Sequence, residues 1–339
     1  MLDDIVTLDP INRDELIRVA TKDLRDTKDL ALTEAFIEKD FWVTFMLKVI
    51  FECSPSKDYF NFKGGTSLSK GFNIIDRFSE DIDLILDWQK LGYTDKEVYK
   101  DRSRTQQAKF ANELTNAAND WIKKKYLPEL KTIVGKITND VTFSLDDEGE
   151  TIIVEYPHVH NDNSILSNIR LEIGPLAAWS PSKNICLHSY LGESNIVISN
   201  YNNEEDIIVP TITPERTFWE KATILHAVAN RGKVTSRYSR HYYDLYQLAH
   251  NEQIKASAFE NVQLLEKVAE FKDKFYHTKA ASYNTANTKE LKLVPADISV
   301  IEELKDDYKQ MKNMMFKTPP TLDDILSFLQ DLEIEIHNL

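Results

Sequence analysis

The chain has 339 residues, of which 42% are hydrophobic and 28% charged, and it carries a formal net charge of −14. The length allows two domains or one large domain with lobes, and the composition is that of a folded protein with a sizeable core, which excludes a disordered chain. So acidic a molecule does not attract nucleic acid as a whole, and a nucleic-acid partner has to use local basic patches.

Two cysteines, Cys53 and Cys186, stand far apart in runs that read as apolar, which argues against a disulfide framework or a cysteine metal site. The N-terminal MLDDIVTLDP lacks the apolar stretch of a secretory signal, and no run approaches the roughly 20 apolar residues needed to span a bilayer. A reducing cytoplasm is the expected setting.

Asp9-Pro10 predicts an N-cap and first helical residue, opening a short helix through about residue 22. A longer helix is expected over about residues 33–52, strongly apolar through Phe36, Phe41, Trp42, Phe45, Met46, Leu47, Ile50 and Phe51, and packed against a sheet. Glu38, Lys39 and Asp40 interrupt that pattern and read as a solvent-facing patch, with a role near a nucleotide as the alternative.

Residues 60–86, FNFKGGTSLSKGFNIIDRFSEDIDLIL, form the most informative stretch. They predict a strand, a Gly-Gly turn, a short helix and a strand with two carboxylates. Asp81 and Asp83 alternate with Ile82, Leu84 and Leu86, so a period of two sends both acids to one face and the aliphatics to the other. Alternate strand residues lie roughly 6.5 to 7 Å apart at Cα, and side chains converging from that spacing can share two Mg²⁺ ions about 4 Å apart. Gly64 and Gly65 permit positive φ and let a phosphate approach the backbone. Thr66 and Ser67 can cap the following helix and leave its N–H groups facing an anion.

One long helix is expected over residues 94–126, ending in Lys123, Lys124 and Lys125 before Pro128. These lysines, continued by Lys131 and Lys136, read first as a solvated helix end. Over residues 132–209 the runs KITNDVTFSL, ETIIVEYPHV, SNIRLEIGP, NIVIS and DIIVP predict strands, separated by turn residues such as Asp146-Asp147-Glu148-Gly149 and Asn161-Asp162-Asn163. In SNIRLEIGP, alternation sets Arg170 and Glu172 opposite Leu171 and Ile173. Glu172 is therefore a candidate third carboxylate beside the acidic strand.

Beyond Pro210 the chain reads as helical to its end. Thr213-Pro214 opens ERTFWEKATILHAVAN, in which Phe218, Ala222, Leu225 and Ala229 centre the apolar face at 100° per residue. Lys221 falls inside that arc. It either snorkels from the edge of an interface or projects toward a cleft where a triphosphate supplies the counter-charge, and its position leaves both open. A second basic group, Arg231, Lys233, Arg237 and Arg240, leads into RHYYDLYQLAH, where Leu245 and Leu248 pack and Asp244 is placed for a local pair with Arg240. Further helices are expected over about residues 258–276, 295–316 and 322–336, with HTKAASYNTANTKE as a mobile or substrate-facing loop. Walker-type, dinucleotide-binding, H-E-x-x-H and G-x-S-x-G motifs are missing, and the eight histidines do not cluster at ligand spacing.

GGTSLSKGFNIIDRFSEDIDLIL resembles the Gly-Gly/Ser and Asp-x-Asp signature of the DNA polymerase β-like nucleotidyltransferase superfamily, and its Arg-Phe-Ser-Glu-Asp-Ile-Asp form is similar to the AbiEii/AbiGii toxin family. The likeness extends to IEKDFWVT, ERTFWEKATILH, SRHYYDLYQL and DYKQMKNMMF, and so runs through most of the chain. It implies an α+β fold, with a polymerase β-like mixed sheet flanked by helices over residues 1–210 and a helical C-terminal lobe over 211–339 that closes the nucleotide site. It also implies Mg²⁺-dependent transfer of a nucleoside monophosphate from an NTP to an acceptor hydroxyl, with tRNA the acceptor in characterised members. The biological setting it implies is a toxin–antitoxin or abortive-infection system acting in phage defence, with a separate antitoxin protein as neutralising partner.

Carried over by motif position, Asp81 and Asp83 bind metal, and Gly64, Gly65, Thr66 and Ser67 face the nucleotide. Lys221 contacts its phosphates with Arg216 or Arg240 as helpers, and Asp244 belongs to the last motif, near the nucleotide. Two departures from the family pattern stand out. Gly64-Gly65-Thr66-Ser67 replaces the frequent Gly-Ser, and Glu172 stands where an aspartate is usual. Two other classes compete. A binding module of the same fold without transfer activity would show a broken metal pair, and a metal-dependent nuclease would need neither the Gly-Gly turn nor Lys221.

Overall fold

Asp9 accepts N–H bonds from Ile11 and Asn12 at 3.0 and 3.1 Å, so a helix starts at Pro10, where a missing N–H costs nothing. The computed structural model describes residues 1–28, 32–160, 162, 165–201 and 206–339, with Lys28 and Asn313 by backbone alone. It resolves into two compact units, Met1–Gly71 with Arg77–Thr211, and Phe72–Asp76 with Ile212–Leu339. No helix among the described residues is long and apolar enough to cross a membrane.

The first unit opens with helices α1 (Leu2–Val6), α2 (Pro10–Lys28) and α3 (Glu34–Lys48), the last running on as a π-helical turn over Val49–Cys53. Strand β1 (Phe60–Lys63) passes into the single turn α4 (Gly64–Thr66), prolonged by a π-helical turn at Ser67–Gly71, and β2 (Ile82–Leu86) follows. Next come α5 (Asp95–Val98), α6 (Arg104–Trp121), a π-helical turn at Ile122–Tyr126, and α7 (Leu127–Val134). The unit is completed by β3 (Thr142–Leu145), β4 (Thr151–Glu155), β5 (Asn168–Gly174), β6 (Ser182–Leu187), α8 (Asn195–Tyr201) and β7 (Ile207–Ile212).

The strands form one mixed sheet in the order β3-β4-β5-β2-β1-β7-β6, the α+β architecture expected from the sequence. β1 runs antiparallel to β2, while β2 lies parallel to β5 and β1 parallel to β7. Ile82, Leu84 and Leu86 are fully buried, whereas Asp81 and Asp83 are half-buried, so the alternation read from the sequence holds. Gly149, at φ +74°, closes the expected turn between β3 and β4. Of the second expected turn, Asn161 and Asn163 lie outside the described residues.

Several expectations are corrected. Residues 94–126 are not one helix. Capping boxes at Thr94/Glu97 and Ser103/Gln106 start α5 and α6 separately, because a residue that satisfies orphan N–H groups begins a new helix. The helix also continues past the lysines, since Pro128 falls in the first turn of α7, where it is tolerated. NIVIS is helical, as α8. Asp23 accepts from the Ser194 hydroxyl and the Asn195 N–H at its start, and a short apolar run does not by itself separate strand from helix. The polar run SKNICL, unread as a strand, is the edge strand β6, largely exposed and so without an apolar alternation. Cys53 and Cys186 are exposed rather than in apolar settings.

Glu38, Lys39 and Asp40 are not a solvent-facing patch; they are 1%, 0% and 4% exposed. Glu38 accepts N–H bonds from Val159 and His160 at 2.9 Å each. The Lys39 ammonium donates to the carbonyls of Leu166 (2.8 Å) and Asn168 and pairs with Glu80 at 3.6 Å. Asp40 pairs with Lys70 at 2.6 Å and accepts from the Tyr190 N–H at 2.7 Å. Burial pushes the Glu38 carboxyl up and the Lys39 and Lys70 ammoniums down, with Glu80 and Asp40 as the opposing charges for the two lysines. One helix thus ties three distant segments of the unit together.

The second unit is helical: α9 (Pro214–Arg231), α10 (Ser239–His250), α11 (Glu252–Glu260), α12 (Gln263–Phe275), α13 (Ile298–Met311) and α14 (Leu322–His337). The single helix expected over 258–276 is split at Asn261, and α13 starts three residues later than expected, where Asp297 caps through the Ser299 N–H. Residues 277–290 are not an open loop. Ala281, Tyr283 and Ala286 are buried, and His226 of α9 bonds the Ser282 carbonyl and the Thr285 hydroxyl while accepting from the Lys292 N–H. Phe72–Asp76 is fastened within this unit, its Asp76 meeting Tyr243, Phe316 and Lys317.

Losing one partner of a buried ion pair strands the other, at a cost of about 3–5 kcal/mol. Lys39→Met, which leaves Glu80 buried, is expected to lower the unfolding free energy of the first unit by that amount in chemical denaturation. A loss below about 1 kcal/mol would show that the ion pair contributes little.

Candidate active site

The site is organised by a steric condition at the end of β1. The β1–β2 register sets Lys63 opposite Asp83, and the next residue, Gly64, turns the chain with φ +82°. A Cβ at Gly64 would lie 1.8 Å from Asp83 Oδ2. Both the backbone conformation and the approach of the carboxylate therefore require glycine. At Gly65 a Cβ would lie 2.6 Å from Ser79 Oγ and 2.7 Å from Arg77 Nη2. The start of this helical turn thus faces a carboxylate at one residue and a guanidinium at the next. Arg77 is 2% exposed and donates to the Phe78 carbonyl at 3.2 Å.

Thr66 and Ser67 do not cap the helix. The N-cap residue is Lys63, without a side-chain cap bond. The Thr66 hydroxyl donates to the Asp81 carbonyl at 2.5 Å and the Ser67 hydroxyl to the Gly64 carbonyl at 2.8 Å. Both are buried, and they fix the turn against the acidic strand. Lys39 adds a favourable charge for Asp81.

Glu172 lies directly opposite Asp83 in the parallel β2–β5 register, on the same face of the sheet. Its side chain is exposed, with Arg170 Nε 3.9 Å away. Among the described residues no three His, Cys, Asp or Glu side chains are gathered as a metal-ligand set, so Asp81, Asp83 and Glu172 do not form a closed protein cage. Mg²⁺ is ordinarily held by one or two carboxylates, with water and phosphate oxygens completing its shell. Two half-buried aspartates on one face, set against a glycine backbone, fit that requirement.

In the second unit, Lys221 is 7% exposed and does not snorkel. Its ammonium pairs with Asp244 Oδ2 at 2.8 Å and donates to His241 Nδ1 at 3.0 Å. The fully buried Asp244, expected to pair locally with Arg240, pairs with Lys221, and Arg240 is half-buried. Arg216, also buried, pairs through Nε with Glu220 at 2.9 Å.

The structure adds three residues that the sequence reading left without a role. Arg77 and Ser79 border Gly65, and their signal lies in the Arg-Phe-Ser stretch ahead of the aspartates. His241 stands one helical turn before Asp244, and that i, i+3 spacing is its signal.

Gly64→Ala is expected to lower stability by about 1–3 kcal/mol through its backbone conformation and to displace the Asp83 carboxylate. Denaturation and a crystal structure of the variant check both, and an unmoved Asp83 would contradict the steric reading.

The family model described as nucleotidyl transferase AbiEii toxin, type IV TA system, matches residues 46–328. The match covers well over half of the chain and includes the Gly64–Asp83 site and the Lys221–Asp244 pair; IEKDFWVT lies just before it. No curated protein matches the chain. The chain belongs to the AbiEii nucleotidyltransferase toxin family of type IV toxin–antitoxin systems.

Proposed function

We propose that the protein transfers a nucleoside monophosphate from an NTP to a hydroxyl of an RNA acceptor, tRNA first among them, with Mg²⁺. In this reading the transfer is the toxic activity, a cognate antitoxin restrains it, and phage defence in the cytoplasm is its setting. The observation that carries the reading is the Asp83 carboxylate lying against Gly64, at a helix start that Arg77 also faces.

Asp81 and Asp83 are the residues to hold Mg²⁺, and Glu172, next to Asp83 in register, is a further oxygen donor. When bound, the metal offsets triphosphate charge and favours the deprotonated acceptor hydroxyl. Gly64 and Gly65 let a phosphate reach the backbone N–H groups, and Thr66 and Ser67 hold that turn still. Arg77 offers a guanidinium to phosphate oxygens.

In the second unit Lys221, aligned by Asp244 and His241, is assigned to the charge of the triphosphate, with Arg216 and Arg240 as helpers. The acceptor oxygen attacks the α-phosphorus. One P–O bond forms, the α–β bridging P–O bond breaks, pyrophosphate leaves, and the hydroxyl proton passes to solvent. Positioning and charge neutralisation are what such a reaction asks of a protein.

Incubation with each α-labelled NTP, Mg²⁺ and total RNA tests the reading. Label is expected on RNA, and Asp83→Asn, folded as judged by circular dichroism, is expected to lose it by about 100-fold or more. Retained transfer in that variant sinks the assignment. Shortened RNA would indicate a nuclease, and nucleotide binding without product a binding module.

A further inference from the structure

The lysine cluster at the end of α6 has a setting that the sequence did not show. The ring of Tyr59, just before β1, stacks on Trp121 at 5.5 Å with an interplanar angle of 21°, and Trp121 stacks in turn on Tyr126 at 5.3 Å. Two ammoniums converge on the Tyr59 ring, Lys90 at 5.3 Å and Lys125 at 5.6 Å from its centroid. Lys123 is exposed on the same π-helical turn as Lys125. Lys124 is the exception in the run, paired with Asp120 at 2.7 Å.

A carboxylate partner would hold a lysine and offset part of its charge; an aromatic ring holds it and leaves the full charge in place. Among the described residues Lys90, Lys123 and Lys125 have no carboxylate within ion-pair distance, in a chain with a net charge of −14. Because the ring already restrains two of these side chains, less conformational freedom is lost when an anion docks. A patch of this kind fits a polyanion.

The position of the patch favours a polymer. Tyr59 precedes one end of β1, and Lys63, opposite Asp83, stands at the other, about 13 Å along the strand at roughly 3.3 Å per residue. A polynucleotide whose reacting end lies at Gly64 spans that distance and carries further phosphates to the lysines.

We propose that Lys90 and Lys125, which meet at the Tyr59 ring, form with the exposed Lys123 of the same helical turn as Lys125 a docking surface for the phosphate backbone of the RNA acceptor. The inference rests on the reading that the acceptor is RNA. The test compares native protein with the triple variant Lys90→Ala/Lys123→Ala/Lys125→Ala. Anisotropy of a labelled tRNA is measured across a salt series, and binding of Mg²⁺ with a non-hydrolysable NTP analogue is measured in parallel.

The triple variant is expected to bind tRNA about tenfold more weakly, with a salt slope shallower by about two to three, because each phosphate contact contributes a slope of roughly 0.7 to 0.9. Its analogue binding is expected to be unchanged. Equal tRNA affinity and slope in the two proteins overturn the docking surface and leave the transfer reading standing. A native protein that binds the analogue but not tRNA overturns both. Loss of antitoxin inhibition with tRNA binding intact assigns the surface to a protein partner and also overturns the proposal.

Discussion

The structure of the candidate site depends on an exclusion of volume. Asp83 Oδ2 occupies the space where any residue other than glycine at position 64 would place its Cβ, so carboxylate and helix start are forced together. The β1–β2 register brings Asp83 to that point, and Thr66 bonds the same turn to Asp81. The Asp83 carboxylate and the glycine backbone beside it are thereby placed by strand pairing and sterics rather than by flexible side chains.

That arrangement is braced from behind by Glu38, Lys39 and Asp40 on α3. Lys39 holds Glu80, the residue before Asp81, and Asp40 holds Lys70, near the end of the helical segment that starts at Gly64. Burying charges is costly, and such groups are tolerated when each finds a partner in good geometry. Here every one of the three is paired with a different segment, so the brace fixes positions as well as offsetting its own desolvation. Lys221, Asp244 and His241 repeat this logic within the second unit.

Much of this was legible in the sequence because it rests on local periodicity. The alternation of Asp81 and Asp83 with aliphatic residues and the anomalous place of Lys221 on an apolar arc follow from spacing, and the Gly-Gly pair marks where positive φ is permitted. The Asp83 contact that requires glycine at position 64 does not follow from spacing. What escaped depends on distant partners. The Glu38–Asp40 run looks solvent-facing until Val159, Asn168, Tyr190 and Lys70 are brought around it. NIVIS became a helix because Asp23 meets its first residues. The break before α6, by contrast, was written in the Ser103/Gln106 spacing and went unread beneath a long polar pattern.

The family match accounts for the nucleotidyltransferase and toxin assignment; the function we propose sets metal and triphosphate together at Gly64 and Asp83. Calorimetric titration with a non-hydrolysable NTP analogue, with Mg²⁺ and with EDTA, tests this most directly in native protein and in Gly64→Ala. Tight binding only with Mg²⁺, and its loss in Gly64→Ala, is the expected result. Binding of equal strength in EDTA, or unchanged in a folded Gly64→Ala protein, would contradict it.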